Sequence, residues 1–141
     1  MKKRVLFLCT DNSARSQMAE GLLRCLAGDE FEVESAGTHP TGLNPVAIEV
    51  MRELDIDISH QRSKHINEFL DHHHFHYVVT VCDRAKETCP IFPASSSTLH
   101  WSFDDPAAAT GLPDQKRTIF RRVRDEIASR IRGFVTTEAE R

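Results

Sequence analysis

Apolar and polar positions along this chain follow two alternating rhythms. Arg4 to Cys9 is an almost continuous apolar run, the mark of a strand buried on both faces. After a polar loop, Met18, Leu22, Cys25 and Leu26 recur at helical spacing, within a helix expected from about Ala14 to Ala27. Phe31 to Ser35 alternates apolar and acidic residues as an edge strand does, and Ala36-Gly37 is expected to end it. Asn44 is a suitable N-cap with Pro45 at the first helical position. Ala47, Val50, Met51 and Leu54 supply the apolar face of the helix that follows. A short helical piece is expected over Lys64 to Leu70, and a second fully apolar strand over Tyr77 to Val81. Cys82 to Cys89 reads as a loop or short helix, and Thr98 to Trp101 as a short strand. A last helix runs from about Asp114 to Gly133, with Phe120, Val123, Ile127, Ile131 and Phe134 toward the core. Strands alternating with helices predict an α/β fold: a four-stranded parallel sheet in flavodoxin-like order with helices on both faces.

Composition narrows this picture. The chain has 141 residues, one ordinary domain (1–141) that buries about two-thirds of the surface its unfolded chain exposes. Apolar residues are 40% and charged residues 28%, which is globular composition. The net charge of −3, with Lys and Arg spread along the chain, gives no nucleic-acid surface. No apolar run approaches the roughly 20 residues of a membrane span. The start, Met1 to Leu8, is basic then apolar, but the run is short and Asp11 and Arg15 follow at once, so it is not read as a signal peptide. A cytoplasmic monomer is expected. In that reducing setting the four cysteines, Cys9, Cys25, Cys82 and Cys89, point to catalysis or packing before a disulfide framework. No close Cys pair suggests zinc, and no metal or cofactor is expected.

The chemistry begins at Cys9-Thr10-Asp11-Asn12-Ser13-Ala14-Arg15-Ser16, a C-x5-R motif directly after a buried strand and directly before a helix. Open α/β sheets bind ligands at the carboxyl ends of their strands. A loop of this length can turn several backbone N–H groups inward, and the helix N-terminus adds its positive dipole end. Such a cradle suits a tetrahedral oxyanion, two of whose oxygens the planar fork of Arg15 can grip. The same field favours a thiolate at Cys9, placed for in-line attack. Ser13 and Ser16 can donate to the thiolate or the loop, while Asn12, Ser16 and Glu20 are candidates to brace the loop from behind. A lone C-x5-R pattern is weak, since buried cysteines are common; its strand–loop–helix setting is what raises it.

The loop resembles that of low-molecular-weight tyrosine phosphatases and of the arsenate reductases that share their fold. The stretch Asn12-Ser13-Ala14-Arg15-Ser16-Gln17-Met18-Ala19-Glu20-Gly21 is much closer to the arsenate reductases. So are Ser35-Ala36-Gly37, Asn44-Pro45, Asp57-Ile58-Ser59, Thr80-Val81-Cys82-Asp83, Cys89-Pro90 and His100-Trp101-Ser102-Phe103-Asp104-Asp105-Pro106. The resemblance spans nearly the whole chain in order. It implies a phosphatase-type flavodoxin-like fold and reduction of arsenate to arsenite, with phosphate or sulfate as anion mimics and thioredoxin or a related thiol donor as partner. Two positions depart from the family. Asp11 stands where glycine is common; aspartate tolerates positive φ better than most residues, yet it brings negative charge near an anion. Some members bind potassium partly through an aspartate after the Asp-Ile-Ser stretch. Lys64 stands at that position, so no potassium site is expected, and its ammonium is a candidate substitute.

The resemblance also assigns Cys82 and Cys89 as resolving cysteines. Taken alone, each would be read as small apolar packing, which is the reading given to Cys25. If the segment between Cys82 and Cys89 is helical, the two lie about 10 Å apart at 1.5 Å per residue, and a disulfide needs Cα atoms roughly 4.4–6.8 Å apart. If they pair, the segment must unwind. The implied cycle has three steps. Cys9 attacks arsenic while Asp105 protonates the departing hydroxyl; Cys82 then attacks Cys9 and expels arsenite; Cys89 attacks Cys82, and an external thiol reduces the Cys82–Cys89 disulfide.

Asp105 precedes Pro106, which holds the backbone extended and can present the carboxyl group. The plainer reading, that Asp104 or Asp105 caps a turn, is about as good from the residues alone, and the resemblance favours Asp105. His72-His73-His74-Phe75-His76 invites a metal, but consecutive histidines before a strand cannot all face one ion, so a solvated loop is expected. Arg121–Asp125 and Arg122–Glu126 are expected to pair along the last helix. The competing function is a low-molecular-weight phosphatase using Cys9, Arg15 and Asp105. Against it, Asp105-Pro106 is followed by Ala107-Ala108-Ala109, which offers no aromatic clamp for a phosphotyrosine ring. The reductant stays open among thioredoxin, glutaredoxin with glutathione, and mycothiol.

Overall fold

The computed structural model describes residues 2–70, 74–92 and 95–139. Four strands, β1 (Lys3–Cys9), β2 (Phe31–Gly37), β3 (Phe75–Thr80) and β4 (Ser95–His100), form one parallel sheet in the order β2-β1-β3-β4. The expected flavodoxin-like order is present, with β1 central and β2 at an edge. Val5, Leu6, Phe7 and Leu8 of β1 are completely buried, as a strand covered on both faces requires.

The two faces are covered unequally. Val5 and Phe7 join a large apolar core with α1 (Arg15–Ala27), α2 (Pro45–Arg52) and α3 (Pro113–Ala139). Leu6, Leu8, Ala36 and Val78 pack on the other side with Phe92 and with Ile66 and Phe69 of a single 3₁₀ turn, Ile66–Phe69. Another short 3₁₀ turn, Pro106–Ala108, follows β4. No described helix is long and apolar enough to cross a membrane.

Several expectations shift in detail. In α1 the buried stripe is Met18, Ala19, Leu22, Leu23 and Ala27, so Cys25 is exposed and Leu26 half-exposed. Helical spacing from Met18 and Ala19 leads on to Cys25 and Leu26, but in the last turn of α1 only Ala27 is buried, so tertiary cover and not the period leaves positions 24–26 outside. Ala36 and Gly37 extend β2 instead of ending it. Gly37 pairs with Cys9, and a Cβ there would lie 2.4 Å from the Thr10 carbonyl oxygen. Glycine is therefore what lets the Cys9 loop cross this strand end. Leu54 falls beyond α2 and is exposed, because the chain turns at Asp55 (φ 59°) and buries Ile58 instead. Gly133 does not end α3, which runs on to Ala139. Phe134 continues its apolar stripe against Phe31, Tyr77 and Trp101. Of the two expected helix-face pairs, Arg122–Glu126 forms at 3.0 Å. Arg121 instead reaches Glu53 beyond α2, and Asp125 pairs with Arg124. Tertiary partners are better placed than same-helix ones there.

Candidate active site

β1 delivers Cys9 to the carboxyl end of the sheet, and α1 begins six residues later at Arg15. Between them the backbone is turned inside out. The carbonyls of Thr10, Asp11 and Ser13 accept from the N–H groups of His39, Thr41 and Asn44 at 2.9, 3.1 and 3.0 Å, and the Asn12 carbonyl accepts from Gln17 Nε2 at 3.1 Å. In a trans peptide the N–H points opposite to its carbonyl, so four carbonyls tied outward turn N–H groups inward, the arrangement that makes anion cradles. The Asn12 N–H reaches Cys9 Sγ at 3.3 Å. Ala14 occupies the N-cap of α1 and makes no side-chain cap bond, so the first N–H groups of the helix have no local oxygen competing with a ligand.

Cys9 is buried, and its Sγ lies 2.8 Å from Ser16 Oγ. Ser16 Oγ accepts from Asn12 Nδ2 at 2.8 Å, and the same Nδ2 donates to Ser35 Oγ at 2.9 Å. Ser35 Oγ donates to Glu20 Oε1 at 2.6 Å. The buried chain from Cys9 through Ser16, Asn12 and Ser35 to Glu20 includes all three residues read as loop braces. Asn12 carries the left-handed backbone (φ 47°), while Asp11 is not among the described residues with positive φ. The strained position is thus one residue later than the Asp11 reading supposed. Asn12 Oδ1 also accepts from the Lys64 N–H at 2.8 Å and from Gln17 Nε2 at 3.0 Å. Gln17, fully buried and bonded to Gln61, was not foreseen; its place on the inner face of α1 is the signal that reveals it.

Arg15 is nearly fully buried, with its Nη2 3.8 Å from Asp105 Oδ2 and its Nη1 donating to the Phe103 carbonyl at 3.3 Å. The unforeseen partner is Glu87, whose carboxylate takes both arms of the guanidinium at 2.7 and 2.9 Å. Burial works to lower the Arg15 pKa, but hydrogen bonds to Glu87 and the charge interactions with Cys9, Asp105 and Glu87 outweigh it and raise it. Burial likewise pushes Glu87 up, and the Arg15 hydrogen bonds and charge outweigh that and hold it below the usual carboxylate range. A cleft of about 530 Å³ opens over the loop, lined by Thr10, Asp11, Asp83, Glu87 and Asp105 among others. A larger cleft, about 800 Å³ between β4 and the second half of α3, contains none of the loop residues.

These features decide the family when set beside other proteins: the profile of the low molecular weight phosphotyrosine protein phosphatases matches residues 4–141. The chain belongs to that family. Arsenate reductase of Halalkalibacterium halodurans is 48% identical over 136 residues, covering 96% of this chain and 97% of that one. Among solved structures, an arsenate reductase in the phosphate binding state superposes with a TM-score of 0.78 at 31% identity, covering 96% and 98% of the two chains. A thioredoxin-dependent arsenate reductase of Corynebacterium glutamicum superposes with a TM-score of 0.70 at 27% identity, covering 96% of this chain and 61% of that one.

Within this family frame, the remaining residues fall as follows. Cys82, one residue past the Val81 bond to β1, forms a disulfide with Cys89, Cα to Cα 6.0 Å. Residues 83–89 are a turn-rich loop, closed by Lys86 and Glu87 N–H bonds to the Asp83 carbonyl at 3.1 and 2.9 Å. The separation is thus far below the roughly 10 Å of a helical segment of that length. Asp105 Oδ1 caps the Pro106 turn by accepting from the Ala107 N–H at 3.0 Å, while Oδ2 faces Arg15. Capping and presentation are two ends of one carboxylate. Asp104 pairs with Arg122 at 3.1 Å. Lys64 is buried; its Nζ donates to the Arg62 carbonyl at 2.9 Å and lies 3.7 Å from both Glu20 Oε1 and Glu34 Oε2. His72 and His73 lie outside the described residues, His76 Nδ1 accepts from the Arg4 N–H, and no metal-ligand cluster occurs among the described residues.

Proposed function

We propose that this protein reduces arsenate to arsenite with Cys9 as nucleophile and discharges the oxidation through Cys82 and Cys89 to thioredoxin. The observation that carries the reading is the joint presence of a buried Cys9 and a buried Arg15 at the two ends of one anion loop and a Cys82–Cys89 disulfide at the same end of the sheet. The arsenate reductases at about 48% identity over nearly the full length support the substrate.

In this mechanism arsenate sits in the loop, two oxygens on the Arg15 fork and the others on inward N–H groups. Cys9 Sγ, held by the Ser16 hydroxyl and the Asn12 N–H, attacks arsenic in line. Asp105 protonates the departing hydroxyl, which leaves as water. The Cys82 thiolate then attacks Cys9 Sγ; the sulfur–arsenic bond breaks with its electron pair on arsenic, and arsenite departs. Cys89 attacks Cys82, releasing the Cys9 thiolate and leaving the Cys82–Cys89 disulfide for a dithiol donor. The phosphatase alternative shares Cys9, Arg15 and Asp105 but gives no role to the two other cysteines, and the residues after Pro106 are small alanines.

Arsenate-dependent NADPH oxidation, run with thioredoxin, glutaredoxin plus glutathione, and mycothiol systems in turn, tests the assignment. Sustained turnover is expected with thioredoxin, and loss of multiple turnover in Cys89→Ser. Continued multiple turnover in Cys89→Ser would remove the third step.

A further inference from the structure

Glu87 is a carboxylate placed where an oxyanion belongs. It spans the Arg15 fork with two short bonds, and its Oε1 also accepts from Thr10 Oγ1 at 3.3 Å. Its Oε2 accepts from the Asp83 N–H at 3.2 Å. Planar, bidentate pairing of this kind is how a guanidinium holds phosphate. One fork cannot hold a side-chain carboxylate and a tetrahedral dianion together.

What keeps Glu87 there is the disulfide ring. Glu87 lies two residues before Cys89, whose Cα is held 6.0 Å from that of Cys82. Inside the ring Asp83 clasps Glu87 at both its side chain and its backbone. A ring closed by a covalent bond loses the freedom that would carry its members elsewhere, so the carboxylate competes for Arg15 as a tethered ligand, at an effective concentration in the millimolar range or above.

We infer that Glu87 is a redox-linked plug of the anion loop: while the Cys82–Cys89 disulfide stands, its carboxylate occupies Arg15 and excludes the oxyanion, and reduction of the disulfide withdraws it. The inference rests on the anion-binding reading given above and concerns the regulation of that same site. Reduction moves two electrons and two protons from a dithiol donor, breaks the Cys82 Sγ–Cys89 Sγ bond to give two thiols, and leaves the donor as its disulfide. The plug has a chemical purpose. An oxidised enzyme that bound a second arsenate would let Cys9 attack with no thiol left to resolve the adduct.

Calorimetric titration with orthophosphate tests this on the full chain, reduced with dithiothreitol and, separately, oxidised with the Cys82–Cys89 disulfide verified by peptide mapping. Wild type is expected to bind at least about tenfold more weakly when oxidised, since a tethered ligand must be displaced first. In Glu87→Gln, and in Glu87→Ala as a second variant, that ratio is expected to fall below about threefold because the competing charge is gone. Equal binding by the two wild-type forms, or a tenfold ratio retained in the variants, would overturn the plug while leaving the anion loop intact. Absence of phosphate binding in the reduced protein as well would overturn the plug together with the reading it rests on.

Discussion

At the scale of single residues, Asn12 and Lys64 show how much of the site is held from behind. Asn12 Nδ2 and Oδ1 make four hydrogen bonds inside the protein, to Ser16, Ser35, Gln17 and the Lys64 N–H, at a left-handed backbone position. Asn12→Ala strands these buried partners and sets at a left-handed position a residue that tolerates it less well than asparagine, a loss of about 3 kcal/mol in urea unfolding. Asn12→Gly, which relieves only the backbone, should recover about 1 kcal/mol of it. Equal losses in the two variants would show that φ is not under strain. At Lys64, one ammonium lies within 4 Å of the carboxylates of Glu20 and Glu34, where a second cation would meet repulsion. Arsenate reduction in potassium chloride and in sodium chloride of equal ionic strength should therefore agree within about twofold; marked stimulation by potassium would contradict a lysine in the cation's role. Much of this was readable in advance: the C-x5-R spacing marked Cys9 and Arg15, and polar residues following a buried strand marked the braces. Glu87 was not readable. An acid with no obvious partner in the sequence becomes meaningful only when the 83–89 loop folds onto the anion loop, a contact between residues 72 apart in sequence.

At the scale of elements, the hydrophobic rhythm located each of the four described strands but misplaced boundaries wherever tertiary partners outweighed local pattern. Cys25 has helical spacing from Met18 and Leu22, yet the sheet and α3 bury the Leu22–Leu23 side of α1 and leave it outside. Gly133 reads as a stop signal, but the aromatic cluster around Phe134 carries α3 through it. The join between α2 and α3 shows the same rule in charges. Glu53, just past α2, is gripped by Arg121 at 2.9–3.0 Å and by the buried Arg124 at 2.8 Å, and Arg124 also donates to the Val50 carbonyl at 2.7 Å. The Arg121 hydrogen bonds, against a small opposing effect of burial and with help from Arg124, hold the Glu53 carboxyl below its usual range. A carboxylate depressed in the folded state stabilises above its unfolded pKa and loses that contribution as pH falls through its folded value. Glu53→Gln should therefore cost about 1 kcal/mol at neutral pH. The gap from wild type should close in melts taken at pH values well below the ordinary glutamate range. A gap that persisted unchanged there would show that the contact acts through packing.

At the scale of the whole molecule, the parallel sheet brings chemistry from distant parts of the chain to one end. β1 ends in Cys9, β3 leads into Cys82, and the segment after β4 carries Asp105 back to Arg15. The central claim is that one sulfur takes arsenic and two others take away the oxidation. A single turnover without any external reductant tests it most directly: reduced protein is mixed with one equivalent of arsenate, arsenite is quantified, and the disulfides are mapped by mass spectrometry. The account predicts one arsenite per chain with a Cys82–Cys89 disulfide in wild type, a Cys9–Cys82 disulfide in Cys89→Ser, and no arsenite from Cys9→Ser. Arsenite formed by Cys9→Ser, or formed by wild type with all three thiols still free, would contradict it.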